Sequence, residues 1–291
     1  MSSATSIWLA AGIRRARRTF GGLPRALHRW RAADADYPRN PPVLANSFPK
    51  SGTHLLWQLL SGFPGLRDYG SFIASMPSTP HRELPMRRMR RAVQRIAPGE
   101  VVRAHLFFSD DVAADLATRS VVHFFIYRDL RDVVISEAHY LAEMNRWHDL
   151  HRHFRKRGPE ERILFSILGG DASGETRQYP DIGQRFARYA SWLSRPDVCA
   201  VRFESLVGPE RDATIRRLVE HYVCAGAWET PSTDALVAAA VARIAPSRSH
   251  TFRSGTAGGW RRVFTDRHRE EIKRVAGDLL IQLGYEQDAS W

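Results

Sequence analysis

A lysine, a glycine and several hydroxyl side chains stand together in Ser47-Phe48-Pro49-Lys50-Ser51-Gly52-Thr53-His54, between an apolar run, Val43 to Ala45, and a helix-patterned stretch, His54 to Leu60. A turn between a strand and a helix gathers backbone N–H groups and the positive end of the helix dipole around an anion, so this is a phosphate-binding position. The magnesium-dependent nucleotide loop needs a glycine, four residues, and then Gly-Lys-Ser or Gly-Lys-Thr. With Gly52 as the second glycine, Ser47 falls at the first, Thr53 at the lysine and His54 at the metal-binding hydroxyl. The metal-binding logic is missing, and no metal is expected. Lys50, two residues before the glycine, can neutralise phosphate charge by itself.

The elements around this turn follow from periodicity. Val101 to Ala104, Val121 to Tyr127 and Val198 to Phe203 read as further buried strands. Between them, Asp110 to Ala117 reads as a helix capped by Ser109, and Arg128 to Arg131 as a turn into a helix from Asp132 to Met144. Ile182 to Leu193, Pro209 to Tyr222 and Ser232 to Ile244 are further helices, and Thr265 caps a final one whose apolar positions include Ile272, Val275, Leu279 and Leu283. Ser61 to Gly99 and Asn145 to Tyr179 read as substrate-side loops and a helical cover, with Arg87, Arg88, Arg90, Arg91 and Arg95 on a short helix; Pro246 to Gly259 is loop. Strands alternating with helices imply an α/β fold: a parallel sheet covered on both faces, with ligand at the carboxyl ends of the strands.

With 291 residues, 43% of them hydrophobic and 25% charged, the chain can bury one large core. A formal charge of +12 favours an anionic partner. Cys199 and Cys224 are the only cysteines and match no disulfide or zinc spacing, which suits a reducing, cytoplasmic setting. Residues 1–40 read as a basic leader, with Ile7 to Ile13 followed by Arg14, Arg15, Arg17 and Arg18, the reverse of a secretory signal. The leader is either mobile or in peripheral contact with an anionic membrane surface. Residues 41–291 read as a single domain.

Taken together, the segments from about Val43 to Thr265 resemble the sulfotransferases that use 3'-phosphoadenosine 5'-phosphosulfate (PAPS) and release 3'-phosphoadenosine 5'-phosphate (PAP). That resemblance implies a P-loop-like three-layer fold with a central parallel sheet flanked by helices. By the same likeness Lys50 is the catalytic lysine, and Ser51, Gly52, Thr53 and His54 line the 5'-phosphosulfate. The family's strand ending in arginine, with a serine eight residues on, appears as Arg128 and Ser136, which would hold the 3'-phosphate. An arginine fork suits phosphate geometry. Asp129, Arg131 and Asp132 read as a solvated turn with a helix-start carboxylate.

The family's third signature, Arg-Lys-Gly ending in tryptophan, appears as Arg253-Ser254-Gly255 through Trp260, with Ser254 in place of the lysine. Arg253, Ser254 and the Gly255 backbone would clamp the 3'-phosphate. His105 matches the family's catalytic histidine, and a neutral imidazole there can take the acceptor's proton. Phe203 stands where a tyrosine often packs on adenine, and Leu55 where an aromatic is common; Trp57 reads as core. Arg261 to Glu270 resembles the family's dimerisation motif except at Asp266, so a homodimer is admitted without being required.

Two other classes fit parts of the chain. A metal-dependent P-loop kinase shares the sheet and loop, but gives no reason for the paired phosphate clamps. A non-enzymatic nucleic-acid or membrane-surface binder could use the arginines, but aromatic residues are not interleaved as single-strand platforms require, and no nucleic acid is expected. The acceptor, a hydroxyl-bearing small molecule, glycan or lipid, leaves no signature.

Overall fold

The computed structural model describes residues 22–171, 178–226, 232–244 and 257–291. At its centre are β1 (Val43–Ser47), β2 (Phe72–Ala74), β3 (Val101–His105), β4 (Val122–Tyr127) and β5 (Val198–Arg202). They form one sheet in the order β2-β3-β1-β4-β5, and every neighbouring pair is parallel. All five residues of β1 are buried, as in a strand covered on both sides, with the apolar Val43 to Ala45 followed by the polar Asn46 and Ser47.

Alternation along the strands divides the core. Val43, Ala45, Phe124 and Ile126 face one layer, where they meet α1 (Thr53–Leu60) through Leu56 and Leu59. Leu44, Val102, Ala104 and Phe125 face the other layer. There they join Val112 and Leu116 of α2 (Asp110–Thr118), Val133 and Val134 of α3 (Leu130–His139), and Phe186 and Tyr189 of α4 (Ile182–Ala190). The first layer is completed by α5 (Arg211–Ala225) and α6 (Thr233–Ala242), the second by α7 (Asp266–Gln282). This is the three-layer α/β architecture expected from the sequence.

The caps agree with expectation. Ser109 accepts from Val112 N, and Thr265 forms a reciprocal capping box with His268. Several boundaries differ, each for a local reason. The helix after β4 begins at Leu130, capped by the Asp129 carboxylate, and its end loosens into a π-helical turn over Tyr140–Met144. The chain leaves the sheet at Arg202, and Phe203 opens a short helix, Phe203–Val207, instead of ending the strand. Pro209 sits in the turn before α5 and does not open it. The irregular stretch Ser61 to Gly99 contributes the edge strand β2 as well as the expected arginine helix, Met86–Gln94.

Part of the basic leader lies against this body. Residues 22–31 are helical. Arg25 pairs with the buried Glu100 at 2.7 Å, and the buried Tyr37 donates its hydroxyl to the Ile96 carbonyl. Cys199 is buried, Cys224 exposed, and both are free. No helix among the described residues is long and apolar enough to cross a membrane.

Candidate functional site

The loop after β1 is shaped by two positive backbone angles. Lys50 has φ 68° and Gly52 φ 101°, with Gly52 at the N-cap of α1. A side chain at Gly52 would be strained by that φ and would also strike Phe203, whose Cδ2 lies 2.7 Å from the position of an added Cβ. Phe203 therefore packs on the loop backbone, and the Arg128 guanidinium lies over its ring, 4.5 Å from the centre. Ser51 is fully buried, and its Oγ has no hydrogen-bond partner. A buried hydroxyl without a partner is costly, and a small local shift that let it meet a bound oxygen would relieve that cost.

Lys50 and His105 are held by different devices. The Lys50 ammonium sits 3.9 Å over the ring of Tyr140, the first residue of the π-helical turn, and Asn145 Nδ2 donates to the Tyr140 hydroxyl at 3.1 Å. Burial depresses the Lys50 pKa to about 8; Glu137 opposes the shift and Arg128 adds to it. His105 ends β3, and Asn46 of β1 bonds the backbone just beyond it, accepting from Leu106 N at 2.8 Å and donating to Leu106 O at 3.2 Å. The His105 Nδ1 lies 3.1 Å from the Ser47 carbonyl and 3.0 Å from its Oγ. A carbonyl only accepts, so the proton is on Nδ1 and the Nε2 lone pair remains for chemistry. Burial is the main cause that lowers the His105 pKa to about 4, with Lys50 adding to it against the Ser47 bond. The ring is neutral across the physiological range.

Ser47 Oγ is also 2.6 Å from Thr53 Oγ1. Thr53, Ser47 and His105 thus form one hydrogen-bonded row from the start of α1 to the imidazole. Neither Asn46 nor Ser47 was singled out by motif reading. The signal the sequence carries for them is two polar residues closing an apolar strand. His54, also expected to line the loop, lies half-buried in the first turn of α1 with its ring edge toward Trp57. Leu55 and Trp57 are partly buried against the first core layer, and Arg103 lies 4.8 Å over the Trp57 ring.

Arg128 leaves the end of β4, the strand beside β1, and Ser136 lies half-buried along α3. The charged residues between them are not a solvated turn, and that expectation is corrected. Asp129, Arg131 and Asp132 are all buried, because the chain near Trp260 and the last residues fold over them. Asp129 chelates Arg131, which also pairs with Glu286 and lies 3.9 Å over the Trp260 ring. Asp132 accepts from Arg128 Nη2 at 3.2 Å, Gly258 N at 2.8 Å and Trp260 N at 2.9 Å. One carboxylate therefore joins the strand-end arginine to the described end of the third signature. Arg253, Ser254 and Gly255 themselves lie outside the described residues.

No protein-family model and no curated protein sequence matches the chain. Among solved structures, mouse sulfotransferase SULT7A1 complexed with PAP is similar at TM-score 0.53 and 16% identity, covering 84% of each chain. The chain has a sulfotransferase fold. Retinol dehydratase in complex with androsterone and PAP is similar at TM-score 0.47 and 15% identity, over 83% of this chain and 81% of that one. In this chain the parallel sheet and the loop after β1 bring Lys50, Ser51, Thr53, His105 and Arg128 to the carboxyl ends of adjacent strands.

Proposed function

We propose that the protein is a PAPS-dependent sulfotransferase acting on an acceptor hydroxyl. The observation that carries this reading is the row from Thr53 through Ser47 to His105, which fastens a neutral imidazole to a phosphate-type loop containing a buried lysine. The residues fit the nucleotide: the buried Ser51 hydroxyl and the left-handed Gly52 suit close approach of phosphate oxygens, and Arg128 with Ser136 suits the 3'-phosphate. Bound PAPS supplies the sulfuryl group. His105 Nε2 takes the acceptor's proton while its Nδ1–H, given to Ser47, keeps the ring oriented. Lys50 neutralises charge on the oxygen that remains with the leaving phosphate.

The first test is calorimetric titration with PAP in the presence of EDTA, with 5'-AMP as the ligand lacking the 3'-phosphate. PAP is expected to bind without metal, and 5'-AMP about a hundredfold more weakly, the effect of losing charge-assisted bonds to one phosphate. Equal affinity for the two nucleotides would remove the 3'-phosphate site from the account.

A pH profile of kcat/KM reports groups in the free enzyme. His105 must be neutral to act, so the rate should rise as pH increases through about 4. Lys50 must be charged, so the rate should fall as pH increases through about 8. An acid limb centred at the ordinary histidine value would show that the base is not this buried ring.

A further inference from the structure

The helix over residues 22–31 is mounted the opposite way to an ordinary surface helix. Leu23, Leu27 and Trp30 recur at i, i+4 and i+7, which places them in one narrow stripe. That stripe faces solvent: Leu23 is 81%, Leu27 46% and Trp30 80% exposed. The face toward the body is polar. Arg25 bonds Glu100 and the Arg95 carbonyl, and His28 Nδ1 lies 2.8 Å from the Tyr69 hydroxyl. Single exposed apolar residues are common, but an aligned stripe containing a tryptophan marks an interaction surface.

The surroundings specify the kind of partner. Arg29 and Arg31 are exposed on the same helix, one on each shoulder of the stripe. The Arg25 bond to the Arg95 carbonyl brings the end of the arginine helix alongside, where Arg91 and Arg95 are exposed. In sequence the helix is preceded by Arg14, Arg15, Arg17 and Arg18. Apolar side chains flanked by arginine are the chemistry of an interfacial helix on an anionic bilayer, with the apolar stripe below the headgroups and the guanidinium groups among the phosphates. Nucleic acid would leave the leucines uncovered. We infer that the helix over residues 22–31 docks the enzyme on an anionic phospholipid surface through Leu23, Leu27 and Trp30. The body, fastened through Arg25 and His28, is then carried on the polar side.

The test is cosedimentation of the full chain with vesicles of phosphatidylcholine and phosphatidylglycerol, against vesicles of phosphatidylcholine alone. Wild type should partition onto the anionic vesicles, less so as salt is raised. The double variant Leu27→Glu/Trp30→Glu retains every arginine, and should lose about tenfold or more of that partitioning with its thermal midpoint unchanged. Equal partitioning of variant and wild type, or no binding of wild type to anionic vesicles, would overturn the inference. So would a wild-type dimer in light scattering that the double variant dissociates, since the stripe would then belong to a second copy. None of these readouts depends on PAPS, so they stand apart from the test of the reaction.

Discussion

Lys50→Ala is expected to slow sulfuryl transfer by about a hundredfold or more while leaving the protein at least as heat-stable as wild type. Loss of one group aimed at developing negative charge costs about 3 kcal/mol of transition-state stabilisation. The stability side of the result comes from the way the lysine is held. Its ammonium is buried enough to lower its pKa to about 8, so the folded state bears an unfavourable desolvation that alanine removes. Its backbone φ of 68° is left unchanged by alanine, so the strain there is common to both chains and does not offset the gain. Opposite signs of change in turnover and thermal midpoint separate a catalytic lysine from a structural one, which would lose both. His105→Ala should cost a comparable amount by removing the base, since positioned general bases contribute about a hundredfold to ten-thousandfold. If both purified variants turned over at the wild-type rate, the proposed roles would fail.

Asp132→Asn should weaken PAP binding and lower the thermal midpoint together, nearly as severely as Asp132→Ala. Oδ1 accepts from Trp260 N, and Oδ2 accepts from Gly258 N and Arg128 Nη2, so both oxygens face donors. An amide can present oxygen to only one of these sets and must turn its own N–H groups toward the other. Removing one partner from a buried charge pair costs about 3–5 kcal/mol in general. The loss should concentrate on the 3'-phosphate: affinity for PAP falls, whereas affinity for 5'-AMP changes little. An Asn variant with wild-type PAP affinity would show that Arg128 and the Gly258–Trp260 segment do not need this bridge.

The strand and loop chemistry was readable because it is local. A strand, a turn and a helix in succession are enough to place Lys50 in an anion-binding type of loop, and short apolar runs are enough to pick out the neighbouring strands. What escaped the sequence depends on partners far away along the chain. Asp132 looks like a solvated helix-start carboxylate until Gly258 and Trp260 arrive to bond it. Ser47 looks like the polar end of a strand until parallel pairing sets Asn46 beside Ala104, and so brings His105 within reach. Phe72 to Ala74 is too short to show alternation, and becomes a strand only because β3 offers it an edge. In the leader, the arginine count was visible, but nothing local showed that Arg25 and His28 would turn inward and leave the leucines outside.

The row Thr53, Ser47, His105 has a consequence for kinetics. Because the imidazole is moored to a residue of the phosphate loop, whatever settles the loop also settles the base. A substitution that displaces Thr53 would therefore be felt at Nε2 as well as in the loop, and should appear as a change in turnover.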